Sequence, residues 1–249
     1  MSKVKRLFFD IETSFNIVAA WRTGHKISIT HDSILKERAI ICICYKWAEA
    51  GKVYSITWDK NQDDKEMLEK FVAVANQADE LVGHNGDKFD LPWIRTRCLY
   101  HRIPMLPQYT TMDTLKGARS KFHFNSAKLD YIAKYLGVGG KTSTGFGLWK
   151  DIVLHNSKKA LKEMVEYCKN DVVILENVYN EMSPYLPHKT HHGVLAGKEV
   201  GSCPNCGGED MKLGKTRVSA AGVKKYQMQC QSCGKYNTVS ETTLSLLKL

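Results

Sequence analysis

Two Cys-x2-Cys-Gly motifs near the C-terminus constrain the fold of this chain more than any other feature of its sequence. They supply the four cysteines Cys203, Cys206, Cys230 and Cys233. Because two residues separate the cysteines of each pair, one tight turn can direct both thiolates at a single ion, and the following glycine relieves the backbone of that turn. The tail of about 50 residues around them has little apolar mass with which to fold unaided. The sequence therefore predicts one structural Zn²⁺ ion held by four thiolates.

Two other interpretations of the cysteine pairs are weaker. A redox-active dithiol usually accompanies a βαβ pattern, which does not surround these motifs. His188, His191 and His192 precede the first pair, but four thiolates already complete a tetrahedral zinc site. We therefore expect these histidines to belong to a polar linker over residues 188–202.

The charge balance bears on the kind of partner. The 249 residues include 36 Lys plus Arg and 26 Asp plus Glu, which gives a formal net charge of +10. Such a surplus favours nucleic acid or an anionic membrane surface, although a solvated basic face without a partner would give the same count. Residues 187–249 carry half of the surplus, with 9 basic against 4 acidic residues. The charge is therefore densest in the cysteine-rich tail.

The apolar residues are too dispersed for a membrane protein. No apolar run approaches the ~20 residues of a membrane-spanning helix, and the N-terminus lacks the apolar core of a signal peptide. We therefore expect a cytoplasmic protein with no membrane partner, in which the cysteines are reduced thiols, metal ligands or small buried hydrophobes and not disulfides. Four of them lie outside the two pairs and are scattered along the sequence. Those residues are Cys42, Cys44, Cys98 and Cys168.

Hydrophobic periodicity predicts a mixed α/β fold. We expect strands at residues 4–11, 38–47, 52–58, 80–83 and 108–112, helices at 63–77, 91–101, 126–136 (with Ser126 as N-cap) and 157–182, and two further strands at 225–230 and 235–239. Three early strands followed by alternating helix and strand indicate a mixed β-sheet flanked by helices. The expected domains are residues 1–189 and a small β domain with its linker at 190–249.

Two carboxylates end the first predicted strand. Asp10 and Glu12 are two residues apart, so the two-residue period of a strand directs both side chains to one face. Neighbouring carboxylates repel each other, and a divalent cation can offset that repulsion. A strand that ends in solvated acids is the alternative, and the motif by itself does not decide between the two.

Two later segments supply further acids. Asp90 ends a loop that follows a short apolar strand, where open α/β sheets collect their ligands, although it could equally cap the next helix. Tyr167 and Asp171 are four residues apart in the long helix, so they share a face. Because apolar neighbours indicate that this face is partly buried, Asp171 needs a partner, either a metal ion or a basic side chain.

Together and in this order, the three motifs resemble the DEDD superfamily of 3′–5′ exonucleases, which have a ribonuclease H-like fold. Tyr167 is typical of the DEDDy branch, which includes the proofreading domain of family B DNA polymerases. The other branch has a histidine five residues before the last aspartate, where this sequence has Glu166. The resemblance covers about residues 1–186, including segments 112–115 and 129–137. The whole arrangement resembles phage-type stand-alone exonucleases related to the polymerase proofreading domain, with a zinc ribbon appended. Residues 201–240 resemble a zinc ribbon.

The resemblance implies a two-metal site for Mg²⁺ or Mn²⁺. Asp10 would bridge both ions, Glu12 and Asp171 would hold the ion nearest the attacking water, and Asp90 would help to hold the second, partly through water. Tyr167 would orient that water. The resemblance also implies that four residues in or beside the motifs contact the terminal nucleotides, Phe89 being more a core residue than a stacking platform. These are Thr13, His84, Asn85 and Phe89.

Two other segments have open interpretations. Residues 116–128 interleave cations with aromatics, which is how single strands are bound, but a solvated loop is equally compatible. Residues 14–37 contain Trp21 and would form either a cover over the substrate or a surface hairpin with a structural tryptophan.

The expected activity is metal-dependent 3′–5′ exonuclease hydrolysis of DNA in replication or repair. The expected partner is nucleic acid, single-stranded or 3′-ended DNA, with the zinc ribbon binding nucleic acid or a replication protein. The alternatives are an exoribonuclease or structure-specific endonuclease with the same metal centre, and a non-catalytic nucleic-acid-binding module.

Overall fold

The computed structural model describes residues 4–24, 26–140, 144–187 and 190–246. The strands are β1 (Arg6–Thr13), β2 (Ile17–Val18), β3 (Ile34–Lys36), β4 (Ile40–Trp47), β5 (Tyr54–Thr57), β6 (Glu80–Gly83), β7 (Thr111–Asp113), β8 (Met211–Val218), β9 (Lys224–Cys230) and β10 (Tyr236–Val239). The α-helices are α1 (Lys65–Ala75), α2 (Asp90–His101), α3 (Thr114–Lys121), α4 (Leu129–Leu136), α5 (Phe146–His155), α6 (Lys158–Met182), α7 (His192–Leu195) and α8 (Glu241–Leu246). In the described part of the chain, no helix is both long and apolar enough to cross a membrane.

A five-stranded mixed sheet forms the centre, in the order β5-β4-β1-β6-β7. Strand β4 is antiparallel to β1 and β5, whereas β6 is parallel to β1 and β7. The pairing of β1 with β6 ends at Phe8 opposite Val82, so the C-terminal half of β1 extends past β6. The loop that follows β6 lies beside this half of β1. The predicted mixed α/β sheet flanked by helices, with a small C-terminal β domain, is confirmed.

Side-chain alternation along β1 separates two apolar cores. One set of alternate residues is buried with α1 and α2: Leu7, Phe9 and Ile11. Phe8 points the other way and contacts the ring of Tyr179 on α6 edge-on, with 5.4 Å between ring centroids. Since side chains two residues apart share a face, Asp10 and Glu12 are directed toward α6 with Phe8.

Helix α6 covers the second face of the sheet. Ser157 is its N-cap, because the hydroxyl accepts a hydrogen bond of 3.3 Å from the amide of Ala160. Its buried residues recur at spacings of three and four, which places an apolar stripe against β1 and β4. The predicted helix at 157–182 therefore forms with nearly the predicted bounds.

The segment between β7 and α4 differs from the prediction. Helix α3 occupies residues 114–121, where no helix was expected, because the Asp113 carboxylate caps its first turn. Ser126 is not the N-cap of α4, which is Lys128; the Ser126 hydroxyl instead accepts a hydrogen bond of 3.3 Å from the Lys128 amide. Phe122 and Phe124 stack on each other at 5.3 Å and pack against the larger core. These rings are therefore neither a free stacking platform nor part of a solvated loop.

The two ends of the segment 14–37 pair as the base of a surface hairpin. Strands β2 and β3 pair there, and Trp21 is fully exposed at 107 % of its reference area. The prediction of a structural tryptophan at this position is therefore wrong. His25, which lies in this segment, is outside the described residues. Helix α5 was also not predicted, because its partly apolar sequence follows a glycine-rich stretch without a capping side chain.

The C-terminal β domain docks on the N-terminal end of the central sheet. Arg6 donates hydrogen bonds to Glu80 (2.8 Å) and to the main-chain and side-chain oxygens of Asn205 (2.8 and 3.0 Å). His192 is 1 % exposed, with Nε2 3.4 Å from a Glu80 oxygen. Lys235 is 3 % exposed, and burial beside Arg6 lowers its pKa to about 8. The expectation that His192 belongs to a simple polar linker is therefore wrong, because this residue is part of the buried network. His188 lies outside the described residues.

We predict that Arg6→Ala lowers the free energy of unfolding by about 3–5 kcal/mol, because it leaves the buried Glu80 carboxylate without its guanidinium partner. Glu66→Ala is the control, since it removes an exposed pair with Lys70 and should cost less than about 0.5 kcal/mol. Urea denaturation at neutral pH measures both. Equal, small losses in the two variants would contradict the prediction.

The same network predicts a pH dependence. Burial raises the pKa of Glu80, but the hydrogen bonds from His192 and Arg6 lower it by more than burial raises it. The net pKa therefore lies below the ordinary value of 4.5. Its stabilising contribution is complete above pH 4.5 and is lost as pH falls through the lowered folded-state value. The difference in free energy of unfolding between the parent chain and Glu80→Gln should therefore shrink only below pH 4.5. A difference that stays constant down to pH 3 would exclude this linkage.

Candidate active site

Three carboxylates converge where β1 meets α6. Asp10, Glu12 and Asp171 each offer an oxygen, and these oxygens lie within 4.8 Å of one another. Asp171 is 2 % exposed, while the two strand residues are half-buried. Hard, all-oxygen donor sets of this kind suit Mg²⁺ or Mn²⁺, so the donor chemistry fits a divalent cation.

Asp90 lies beside this cluster at the first residue of α2. It is 4 % exposed, and its Oδ1 accepts a hydrogen bond of 3.2 Å from the Ile11 amide. Ile11 lies between Asp10 and Glu12 on β1, so this bond fixes Asp90 next to both. Asp90 is not one of the three carboxylates that meet within 4.8 Å.

Tyr167 lies one helical turn before Asp171 on α6 and is half-buried. It borders an open pocket of about 400 Å³ whose other lining residues come mainly from the first half of α6. Those residues are Thr144, Lys159, Lys162, Glu163 and Glu166. On this helix Tyr167 therefore lies between Asp171 and the residues that line a solvent-accessible groove with two lysines.

Asp113 organises the loop that carries Asp90, and the sequence interpretation missed it. Its Oδ1 accepts hydrogen bonds from the amides of Asn85 (3.0 Å), Leu115 (2.9 Å) and Lys116 (3.3 Å), and its Oδ2 accepts one from Asp87 (3.3 Å). One buried carboxylate thus caps α3 and holds the loop after β6. The sequence feature that could have identified it is the pair Asp113-Thr114 directly after a predicted strand, because an aspartate in this position is a typical helix N-cap.

The loop also needs a close approach of two glycines. A Cβ added at Gly83 would lie 3.2 Å from the Cα of Gly86, and one added at Gly86 would lie 3.3 Å from the Cα of Gly83. Asn85 adopts a φ of 72°, in the left-handed region that asparagine tolerates well. The tight turn brings the chain from the end of β6 to Asp90.

The four predicted substrate-contact residues lie around this loop and the end of β1. The Thr13 carbonyl accepts a hydrogen bond of 3.2 Å from the Trp149 indole. The ring nitrogens of His84 lie 2.9 Å from the Thr114 hydroxyl and 2.9 Å from the Ala127 carbonyl, so His84 ties three segments together.

The other two residues have their main-chain or ring positions fixed by the fold. The Asn85 amide is held by Asp113, as described above. The half-buried ring of Phe89 packs against the core formed with α1 and α2, in line with its expected role as a core residue.

Three thiols lie directly behind the carboxylates. Cys42, Cys44 and Cys168 are buried, and their sulfurs lie within 4.8 Å of one another although the three residues are scattered along the sequence. Burial raises the pKa of Cys168 well above its usual value. The protonated Cys168 thiol contacts the main-chain oxygen and Oδ2 of Asp10, both at 3.6 Å. Cys168 is thus placed to position Asp10.

The four cysteines of the C-terminal motifs form one cluster. The sulfurs of Cys203 and Cys233 are 3.7 Å apart, those of Cys206 and Cys230 are 3.6 Å apart, and all four lie within 4.8 Å. Four sulfurs about 2.3 Å from a central Zn²⁺ would be separated by roughly 3.8 Å. The cluster therefore has the donor set and the dimensions of a tetrahedral zinc site.

Comparisons with known proteins agree with the fold. The RNase_H_2 family model, described as RNase_H superfamily, matches residues 35–183. The chain belongs to the RNase H superfamily. The matched region contains Asp90, Tyr167 and Asp171, whereas β1 with its two carboxylates precedes it. Nucleases of this superfamily use divalent metals and act on nucleic acid, which is consistent with the acidic cluster.

The RNase H-like chain is also similar to DNA polymerases. It is 22 % identical over 221 residues to a DNA polymerase of Thermococcus aggregans, a match that covers 80 % of this chain and 12 % of the polymerase. It is 29 % identical over 106 residues to one of Thermococcus hydrothermalis, covering 39 % of this chain and 5 % of that protein. The chain thus spans a small part of these relatives.

A solved structure supports the same fold. The family B DNA polymerase from the hyperthermophilic archaeon Pyrobaculum calidifontis matches with a TM-score of 0.56 and 19 % identity. The match covers 73 % of this chain and 25 % of the polymerase chain. At this identity the likeness concerns the fold.

We predict that Asp113→Ala lowers the free energy of unfolding by about 2–4 kcal/mol, because several amides lose a buried acceptor. Ser157→Ala is the matched control: it removes an N-cap with one hydrogen bond and should cost about 1 kcal/mol. Urea denaturation gives the free energies, and hydrogen exchange at the Asn85 and Leu115 amides should accelerate only in the Asp113 variant. Identical losses in both variants would show that Asp113 is an ordinary cap.

Proposed function

We propose that this protein is a metal-dependent exonuclease of the DEDDy type that removes nucleotides from the 3′ ends of DNA in the cytoplasm. The observation that carries the proposal is the convergence of Asp10, Glu12 and Asp171 within 4.8 Å, with Tyr167 one turn away on the same helix. The catalytic domain would comprise residues 1–189 and the zinc ribbon with its linker residues 190–249.

The carboxylates would hold two Mg²⁺ or Mn²⁺ ions. Bound there, the pair would supply an activated water and offset the charge that develops on the leaving 3′ oxygen. Asp10, Glu12 and Asp171 would hold these ions, Glu12 and Asp171 mainly the one that activates the attacking water. Asp90, which lies just outside the trio, is suited to a contact through water.

Tyr167 would orient the attacking water. A free tyrosine has a pKa of about 10, so at neutral pH the phenol is a hydrogen-bonding group and not an independent base. Its position between the acidic cluster and the open groove allows a substrate strand to enter from the solvent side. Thr13, His84, Asn85 and Phe89 would border the terminal nucleotides on the other side of the cluster.

DNA as substrate and the 3′–5′ direction are supported by the likeness to DNA polymerases. We infer that the shared segment corresponds to the part of those enzymes that hydrolyses 3′ ends. The chain covers 12 % of the Thermococcus aggregans protein, so synthesis of DNA is not part of the proposal. An exoribonuclease, an endonuclease and a non-catalytic binding module are outcomes that the test below separates.

We predict that Asp10→Asn and Asp171→Asn each lower hydrolysis of a 5′-labelled single strand by about 10³-fold or more, because each removes a charge that would hold the metal ions. Glu66→Gln, on the exposed face of α1, should retain full activity. The assay compares Mg²⁺ with EDTA, linear with circular DNA, and DNA with RNA.

The products decide among the alternatives. Stepwise shortening from the 3′ end of DNA supports the proposal. Cleavage of the circle indicates an endonuclease, preferred hydrolysis of RNA indicates an exoribonuclease, and binding without cleavage indicates a non-catalytic module. Full activity in purified Asp10→Asn would refute a carboxylate-metal mechanism.

We further propose one structural Zn²⁺ at the four cysteines. Cys206→Ser should lower the zinc content from one ion per chain and reduce the melting temperature, because the metal-binding turn is bonded to Arg6 of the central sheet. Cys98→Ser is the matched control, since Cys98 is a buried thiol of α2 outside the cluster. Elemental analysis and circular dichroism measure both effects. A zinc-free parent protein with the same melting temperature would contradict the proposal.

A further inference from the structure

The small C-terminal sheet has one face that is unusually cationic. Between residues 211 and 240 the chain has six Lys or Arg residues and no Asp or Glu. Residues paired directly across antiparallel strands point to the same side, so the register assigns each side chain to a face. One face is covered by the chain itself and contains the buried Met211, Met228 and Val239, with Leu244 of α8 packed against them.

The opposite face, called here the outer sheet face, collects the cations. Its members follow from the pairs 212 with 229, 215 with 227, 217 with 225, 229 with 236 and 227 with 238. They are Lys212, Lys215, Arg217, Lys225, Gln227, Gln229, Tyr236 and Thr238. The four cations and Tyr236 are exposed. A polyanion is the complementary partner for such a face.

A bulge at Gly214 produces this distribution. Lys212 and Lys215 are three residues apart and would point to opposite faces of a regular strand. The register shift between Leu213 and Lys215 inserts one extra residue and returns Lys215 to the face of Lys212. A Cβ at Gly214 would lie 3.6 Å from the Tyr236 ring, so the ring lies over this part of β8.

The arrangement carries an electrostatic cost that a polyanion would relieve. Arg217 and Lys225 are directly paired across β8 and β9, and like charges in such positions destabilise a sheet. The chain between residues 211 and 240 offers no acid to neutralise them. The amide of Gln227 and the ring of Tyr236 add a hydrogen-bonding and a stacking group, the combination that binds single strands, while the Gln229 Nε2 donates to the Gly234 carbonyl at 3.3 Å.

We propose that the outer sheet face binds the backbone of single-stranded nucleic acid at a second site, separate from the carboxylate cluster. The identity of the polyanion rests on the proposed nuclease function. The domain docks at Arg6 and Glu80, the N-terminal ends of β1 and β6, whereas the carboxylates lie toward the C-terminal end of β1. The face therefore increases affinity for long strands and does not take part in bond cleavage.

A groove connects this face to the catalytic part. Tyr236 and Thr238 border a pocket of about 410 Å³ together with residues at the end of the α6 region and the first cysteine turn. Those residues are Leu186, Pro187, Thr190, His191 and Pro204. A strand lying on the outer sheet face can thus continue toward the end of α6.

The test measures binding by the zinc-loaded full chain made inactive with Asp10→Asn. A fluorescent single-stranded 20-mer is titrated at several salt concentrations against this chain and against the same chain with Lys212, Lys215, Arg217 and Lys225 changed to Gln. The matched control changes four exposed lysines elsewhere, with the same loss of net charge: Lys52, Lys60, Lys65 and Lys70.

The outer-face variant should raise the Kd at low salt by about 10- to 100-fold and reduce the slope of log K against log salt by about 2–3, since each lost phosphate contact removes about 0.7. Tyr236→Ala should raise the Kd by about tenfold and Tyr236→Phe should not, because the ring provides stacking. With Asp10 restored, cleavage of a dinucleotide should be unchanged by the four outer-face substitutions.

Equal Kd values and salt slopes in the outer-face and control variants would overturn the proposal. An outer-face variant that binds DNA normally but no longer binds an acidic protein would also overturn it, because the face would then bind protein and not nucleic acid. Because binding is read without cleavage, the result is independent of the proposed catalytic function. A chain that binds through this face but hydrolyses no substrate would refute the exonuclease and leave the second site standing.

Discussion

The alternation of side chains along β1 is the constraint on which the rest of the structure depends. Arg6, Phe8, Asp10 and Glu12 share the face that α6 covers. On this face the strand binds the C-terminal domain through Arg6, packs on α6 through Phe8 and presents two carboxylates to Asp171. A shift of one residue in the pairing of β1 with β4 would move all of these to the opposite face. The register of one strand therefore determines docking, core and site together.

The site concentrates acidic side chains, and uncharged donors lower the cost of burying two of them. Two donors to these carboxylates carry no charge: the Ile11 amide binds Asp90, and the Cys168 thiol contacts Asp10. Uncharged donors lower the cost of burying a carboxylate while leaving its negative charge in place. Elsewhere the fold uses full ion pairs for buried acids, as at Asp64 with Arg97 and Glu80 with Arg6. A carboxylate that keeps its charge can hold a cation.

The sequence was sufficient for features with a short, regular period. The two-residue alternation predicted β1 and the shared face of Asp10 and Glu12, and helical spacing predicted α6 with Asp171. Contacts between distant segments were not predictable: Cys42 and Cys44 meet Cys168 only because β4 pairs with β1 and α6 crosses both. Asp113 was missed because half of its role lies in the main-chain amides of a loop 26 and 28 residues earlier, which leave no side-chain pattern. Burial of His192 likewise depends on Glu80, far away in sequence.

One asparagine both holds the C-terminal domain on the central sheet and contacts its four-cysteine cluster. Asn205 lies between Cys203 and Cys206; its main-chain and side-chain oxygens accept hydrogen bonds from Arg6, while its Nδ2 donates to the Cys233 sulfur at 3.6 Å. One side chain therefore joins the four-cysteine cluster to the first residue of β1. Because groups in one hydrogen-bonded network change each other's stability, closing the first cysteine turn and ordering the start of β1 are energetically coupled. Through this network, a nucleic-acid strand bound to the outer sheet face would be connected to the strand that carries Asp10 and Glu12.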